Sequence, residues 1–301
     1  MCEIRVGTSG YDYPEWKGVF YPADLPRSQY LSYYAAAFSS LELNFSYYRM
    51  PTAAQLASLM ERAGSSCLLS IKAHESLTHS VDLAQWHSAL AEFRAALLPL
   101  LRAERLGAVL FQFPHSFGYE PERRRYLDSL LKETNELPVV VEFRNHDWYN
   151  NRVFDAFRER RVAMASVDLP NLRGLPPVVD LVTSPLAYIR FHGRNEANWW
   201  GSDAATRYDY LYDERELEPW VERVKGMAGK VSRLLAYFNN HFRGQAVQNA
   251  RSFIALLEEA GLAPQQAGLA PQAMSEAPPE ATPEATPQQA DPGAPHGADP
   301  S

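Results

Sequence analysis

The sequence predicts an α/β fold, a TIM-type (β/α)8 barrel, on three observations. Eight short β-branched or aliphatic runs lie between residues 3 and 261. Helical patterns separate most of them, and about 250 residues of alternating strand and helix is the length such a barrel needs. Polar residues gather late in the runs on one alternating parity, as expected where barrel strands end in a site. A doubly wound open sheet is the structural rival, because it alternates strand and helix in the same way.

The runs are, in order, "IRVGTSG" (4–10), "LELNFSYY" (41–48), "CLLSIKAH" (67–74), "AVLFQFP" (108–114), "VVVEFR" (139–144), "VAMASVD" (162–168), "AYIRFHG" (187–193) and "RLLAYFNNH" (233–241). The clearest helix starts near Asp82, where Leu83, Trp86, Leu90, Phe93, Leu97 and Leu101 recur at three- and four-residue steps. The sixth crossover, "LPNLRGLPPVVDLVTSP", holds too many Pro and Gly residues for a full helix. A single barrel domain is therefore expected over 1–263. Residues 264–301 carry nine of the 22 prolines and no aromatic residue, the composition of a disordered tail.

Charge and cysteine content exclude several classes. The tail contributes Glu276, Glu280, Glu284, Asp291 and Asp299 and no Lys or Arg, so the formal net charge of −7 falls to −2 without it. A nearly neutral body gives no bulk support for a nucleic-acid surface. Only Cys2 and Cys67 are present, which provides neither a disulfide framework nor a cysteine metal site. No run approaches the roughly 18 apolar residues of a membrane span. The N-terminus lacks the pattern of a signal peptide, so a cytoplasmic location without membrane partners is expected.

Alternation within the strands selects the candidate residues. Val139, Val141 and Phe143 share one face, and Val140, Glu142 and Arg144 the other. The same split sets Lys72 and His74 against Leu69, Ile71 and Ala73, and Arg190 and His192 against Ile189 and Phe191. It also singles out Glu42, Asn44, Gln112, Asp168, Asn239 and His241. The outward face packs under helices and must be apolar, so the polar set is expected to point inward at the C-terminal mouth. Arg5 shares that parity but begins its strand, which places it at the stability end. The structural alternative is a self-satisfied ionic network with no function. His79, His87, His115 and His146 read as surface or loop histidines.

Chemistry follows from these types. Lys72, Arg144, Arg190 and Arg243 suit an anion, since Arg offers a bidentate fork to phosphate or carboxylate. Glu142 and Asp168 are the candidate bases, and His192 and His241 the proton donors near neutral pH. Trp148 and other aromatic residues after the strands suit a flat or sugar-like ligand, with rim packing as the alternative. Asn239, Asn240 and Arg243 precede a helix from about Gln245, a phosphate-binding arrangement common in barrels. The expected function is general acid and base catalysis on a small phosphorylated, sugar-like or nucleotide-like anion, with hydrolysis the least demanding reaction. No cofactor is assigned. Glu142, Asp168 and His192 could instead hold a divalent metal for phosphodiester cleavage, although no HxH or HExxH pattern is present. From another class, a non-catalytic module could bind a nucleic-acid strand or small anion. The sequence assigns no oligomeric state.

Seven segments, "VGTSGYDYPEWKGVFYP", "LELNFSYYRMP", "SIKAHESLTH", "LFQFP", "VEFRNHDW", "YIRFHGRN" and "YFNNHFRGQAVQNA", occur in this order between Glu3 and Leu262. Together they resemble the signature blocks of the YecE-like family, domain of unknown function seventy-two. The resemblance implies a TIM-barrel-like fold and no activity. Its blocks coincide with the strand ends that parity selects.

Overall fold

The structure is a computed structural model and describes residues 2–267. In chain order the elements are β1 (Glu3–Ser9), α1 (Tyr30–Ala37), β2 (Ser40–Leu43), α2 (Phe45–Tyr48), α3 (Ala53–Arg62), β3 (Leu68–Lys72), α4 (Trp86–Arg102), β4 (Leu106–Phe113), α5 (Pro121–Glu133) and β5 (Val139–Phe143). There follow α6 (Asn151–Arg160), β6 (Ala163–Met164), β7 (Ser166–Asp168), β8 (Leu186–Phe191), α7 (Ala204–Arg207), α8 (Glu214–Ala228), β9 (Arg233–Phe238) and α9 (Gln245–Glu259).

All strand pairs are parallel, in the order β6-β5-β4-β3-β2-β1-β9-β8-β7. Only Ala165 separates β6 from β7, and its N–H donates to the Val141 carbonyl at 2.9 Å. The two pieces are one interrupted sixth strand, one half paired with β5 and the other with β8, so the sheet closes into the expected (β/α)8 barrel.

Residues 169–185 form no helix, as their Pro and Gly content requires. Side chains hold this crossover instead. Ser166 Oγ donates to the Val179 carbonyl at 2.9 Å, and Thr183 Oγ1 donates to Val162 at 2.6 Å while accepting from Met164 N–H. Elsewhere sequence sets the helix starts: capping boxes open α3 (Thr52 with Gln55) and α8 (Asp213 with Glu216). One boundary differs from expectation. α4 begins at Trp86 rather than near Asp82, and Leu83 is 52% exposed, because the Asp82 carboxylate accepts from Ala84 N–H in a preceding turn.

Two apolar layers result. One lies between sheet and helices and includes Val139, Val141, Phe143, Ile189 and Phe191. The other fills the barrel interior with Ala108, Leu110, Val140, Ala163, Ala165, Val167, Tyr188, Leu235 and Tyr237. Tyr237 hydrogen-bonds Ser40 and Ser70 across the interior, forming a floor beneath the mouth. At the opposite end Arg5 donates to the Ser39 and Ser66 carbonyls, the structural role expected of it.

Residues 268–301, most of the expected tail, lie outside the described residues. The segment's start is joined to the barrel: Pro264 bridges Ile4, and Gln265 N–H donates to the Ile4 carbonyl at 2.7 Å. Among the described residues no helix is long and apolar enough to cross a membrane.

Candidate functional site at the barrel mouth

Glu42, Lys72, Gln112, Glu142, Arg190 and Asn239 end their strands on the parity of the interior layer, directly above it. Arg190 lies at the centre, nearly fully buried. It donates through Nη2 to Glu42 Oε1 and through Nη1 to Glu142 Oε2, both at 2.7 Å. Tyr188 gives Glu42 a second bond at 2.7 Å. Arg144 Nε donates to Glu142 Oε1 at 2.6 Å. His192 Nε2 lies 3.2 Å from the same oxygen, and Asn239 Nδ2 lies 3.1 Å from His192 Nδ1.

These contacts fix the protonation of the group. Burial alone would raise the Glu142 carboxyl, but Arg190 and Arg144 hold it well below the usual carboxylate range. Burial and Arg144 hold His192 well below the ordinary imidazole value, so it is neutral near pH 7. Arg144 Nη2 also lies 3.1 Å from Nε2 and 3.3 Å from Nδ1, so the ring is enclosed by one carboxylate, Glu142, and two N–H donors, Asn239 and Arg144. A neutral imidazole so enclosed differs from the proton donor near neutrality that the sequence suggests.

Lys72 differs from its neighbours. Its Nζ lies 4.0 Å from the centre of the Tyr47 ring, and among the described residues no carboxylate pairs with it, because both nearby ones are held by arginines. Burial, with Arg190 and Arg144 close by, lowers its ammonium to about 7. Within this network the Lys72 amine is lowered toward neutrality, whereas the His192 imidazole is held far below it.

Along the strand ends and loops of the mouth, hydrogen-bonding capacity is left over. Ser9 Oγ, Asn44 Oδ1, Tyr149 Oη and Arg190 Nε are buried without a hydrogen-bond partner. Ser9 pairs in register with Glu42, and Tyr149 lies within electrostatic reach of Glu142 and Arg144. Buried polar groups are normally satisfied, so several unmatched ones at a strand-end mouth mark where another molecule's polar atoms fit. Gln112, beside Glu142 in the register, also has no side-chain hydrogen bond among the described residues.

Several expected residues lie elsewhere. Asp168 faces the outside of the barrel: Ala163, Ala165 and Val167 take the inward parity, which turns Asp168 toward α8. There it accepts from Tyr212 Oη (2.8 Å), Trp220 Nε1 (2.7 Å) and both Nε and Nη2 of Arg194 (2.8 and 2.7 Å). The reason is the missing sixth helix, which leaves this outer face to be covered by polar groups of the loop after β8. The proposed metal set fails with it, since Glu142 and His192 lie inside the barrel and Asp168 outside. Among the described residues no three His, Cys, Asp or Glu side chains form a metal-ligand group.

Trp148 is 2% exposed and stacks on Phe143 (4.4 Å) and Phe117 (5.3 Å) beneath the helices, so it is core and not rim. Asn240 faces outward, its amide N–H groups donating to the Tyr210 carbonyl and Asn249 Oδ1. His74 lies beyond the end of β3, where Nδ1 pairs with Ser76 Oγ at 2.8 Å and accepts from Ser76 N–H. Arg243 is exposed, against Phe242, at a φ of 49°. His241 stays at the rim, stacked flat on Tyr13 at 4.4 Å with Nδ1 3.5 Å from Glu15.

Other residues escaped the parity argument because they sit in loops. Tyr13, Tyr47 and Tyr149 flank the mouth. His79, read as a surface histidine, packs against Tyr47 at 4.8 Å, and burial with Lys72 and Arg144 nearby lowers it to about 3. Gly10, at φ 85°, makes room for the Tyr13 ring: a Cβ there would lie 2.5 Å from the Tyr13 hydroxyl. Trp199 lies beneath the Arg144 guanidinium at 5.7 Å.

Comparison with known proteins places this arrangement in a family. The family model for "Protein of unknown function DUF72" matches residues 5–274. The UPF0759 protein YunF of Bacillus subtilis (strain 168) is 27% identical over 266 residues, covering 83% of this chain and 94% of the relative. The crystal structure of a DUF72 family protein from Thermotoga maritima MSB8 is 35% identical, covers 85% of this chain and 99% of that one, and superposes with a TM-score of 0.78. A second DUF72 structure, from Enterococcus faecalis V583, is 25% identical with a TM-score of 0.76, covering 85% and 95%. The chain belongs to the DUF72 family, whose proteins have no established function.

Proposed function

We propose that the barrel mouth is the active site of an enzyme that binds a small anionic substrate beside Lys72 and moves a proton with that amine near neutral pH. The observation that carries this reading is the pairing pattern. Glu42 and Glu142 are neutralised by Arg190 and Arg144, which leaves Lys72 as the unpaired cation amid unmatched buried polar groups. A network built only for stability would match its charges and bonds.

Each residue has a distinct part. Protonated Lys72 attracts the anion, and deprotonated Lys72 accepts a proton from it, since an amine titrating near the working pH serves both directions. Arg190 and Arg144, fixed by carboxylates, present Arg190 Nε and the remaining guanidinium N–H groups to developing negative charge. Asn44, Gln112 and Ser9 are free to orient hydroxyl or oxyanion groups. Tyr149 stays protonated, because burial and Glu142 raise its phenol, and so remains a donor.

Sulfate tests the reading, being a dianion throughout the range of interest. Calorimetric titration should show tighter binding at pH 6.0 than at pH 8.5, by about tenfold, as Lys72 loses its charge. The Lys72→Met variant should bind weakly at both. Equal affinity in parent and variant would remove Lys72 from the site.

A further inference from the structure

Resting on that reading, we infer that Lys72 is a covalent catalyst: its Nζ attacks the carbonyl carbon of an anionic, hydroxylated aldehyde or ketone and forms an imine. Three structural facts converge on it. The amine stands at the end of β3 on the inward parity, 4.0 Å from the centre of the Tyr47 ring, with no carboxylate paired to it among the described residues. A carboxylate partner would tie up the nitrogen as an ammonium; here both candidates are held by arginines at 2.6 and 2.7 Å. The unmatched groups of the mouth are mostly neutral, the Ser9 hydroxyl, the Asn44 amide oxygen and the Tyr149 phenol beside Arg190 Nε, which suit the hydroxyl and oxyanion of a sugar-like carbonyl compound better than a bare inorganic anion.

Lysines that form imines work by desolvation or by lying near other cations, and Lys72 has both, half-buried and close to Arg190 and Arg144 with its ammonium lowered to about 7. Tyr47 partly opposes this, since an aromatic face attracts a charged ammonium, but it also holds the nitrogen in one place.

The step balances without a redox partner. The Nζ lone pair forms the C–N bond while the carbonyl π electrons move to oxygen. A proton passes from nitrogen to that oxygen, giving a carbinolamine. The C–O bond then breaks, the hydroxyl takes a second proton and leaves as water, and the nitrogen lone pair completes a protonated imine. Tyr47, whose phenol is raised by burial and by Glu75 and so stays protonated, is the donor we assign to the leaving oxygen, since its ring lies 4.0 Å from Nζ.

The chain has only five lysines, Lys17, Lys72, Lys132, Lys225 and Lys230, so each of them and the N-terminal amine is resolvable by peptide mass spectrometry. The full chain is treated at pH 7.0 with cyanoborohydride and either formaldehyde, which needs no recognition, or glyceraldehyde 3-phosphate, which carries the proposed anion. Both should label Lys72 at least about tenfold faster than any other lysine, and sulfate should slow the second reaction at Lys72 only. Labelling of Lys72 by formaldehyde but not by the phosphorylated aldehyde would overturn the substrate class. Failure of both to label Lys72 ahead of the other lysines would overturn the imine, while the anion-binding reading would stand or fall separately on the sulfate titration.

Discussion

Asp168 and Glu142 end neighbouring strands, both buried and both paired with arginine, yet their surroundings differ. Both oxygens of Asp168 are filled by Arg194, and each takes one further donor, Tyr212 or Trp220. The partners bind the loop after β8 and helix α8 to the outside of the sheet. Glu142 is equally well held, by Arg144, Arg190 and His192, but within the same mouth lie an amine without a carboxylate and four buried polar atoms without partners. Buried charge therefore does not distinguish structure from function here. Incomplete matching around the charge does.

The sharpest break of this comparison is Arg190→Met. It leaves Glu42 without its only cation and Glu142 with Arg144 alone, and should cost about 3–5 kcal/mol in urea unfolding at pH 7. The Glu142 carboxyl is held below its ordinary value in the folded state, so the stability it contributes is present above the unfolded value of about 4.3 and lost as pH falls. In the variant that acid-linked loss should shrink. Asp168→Asn should cost less, roughly 2–3 kcal/mol, because part-exposed Arg194 retains solvent when its partner is neutralised. Its sulfate affinity should not change.

Lys72→Met should move stability the other way. An ammonium lowered to about 7 from the ordinary 10.4 or so means that between these values the unfolded chain binds a proton the folded chain does not. The parent should therefore gain stability as pH rises from 7 toward 10, and the variant should be more stable at pH 7 by on the order of 2 kcal/mol while binding sulfate only weakly. By pH 10 the difference should be nearly gone. Smallest of all, Arg243→Ala should change stability by less than about 0.5 kcal/mol, since an exposed guanidinium over Phe242 holds nothing else in place.

The sequence was legible where strand periodicity governs. Alternation correctly turned Glu42, Lys72, Gln112, Glu142, Arg190 and Asn239 inward, because an outward position there would lie beneath an apolar helix face. It failed at Asp168 for the same physical reason: with no sixth helix, the outer face is not apolar, and polarity no longer reports direction. Past the strand ends the rule has no meaning. His74 and Asn240 turn away to cap a turn or tie a loop, and Trp148 folds back onto Phe143. Loop residues that do reach the mouth, Tyr13, Tyr47, His79 and Tyr149, carry no periodic signal. The one available hint was their density in the segments "GYDYPEW", "NFSYY", "ESLTH" and "NHDWYN" directly after strands one, two, three and five.

The most direct test of the account is the titration of Lys72 itself. With five lysines, side-chain nitrogen resonances of the 15N-lysine-labelled chain can be assigned by comparison with Lys72→Arg and followed from pH 5 to 11. The unmatched amine described here should titrate with a midpoint near 7, and sulfate should move that midpoint upward by stabilising the ammonium. A Lys72 midpoint in the ordinary lysine range near 10, unmoved by sulfate, would contradict the claim that this mouth is a chemical site.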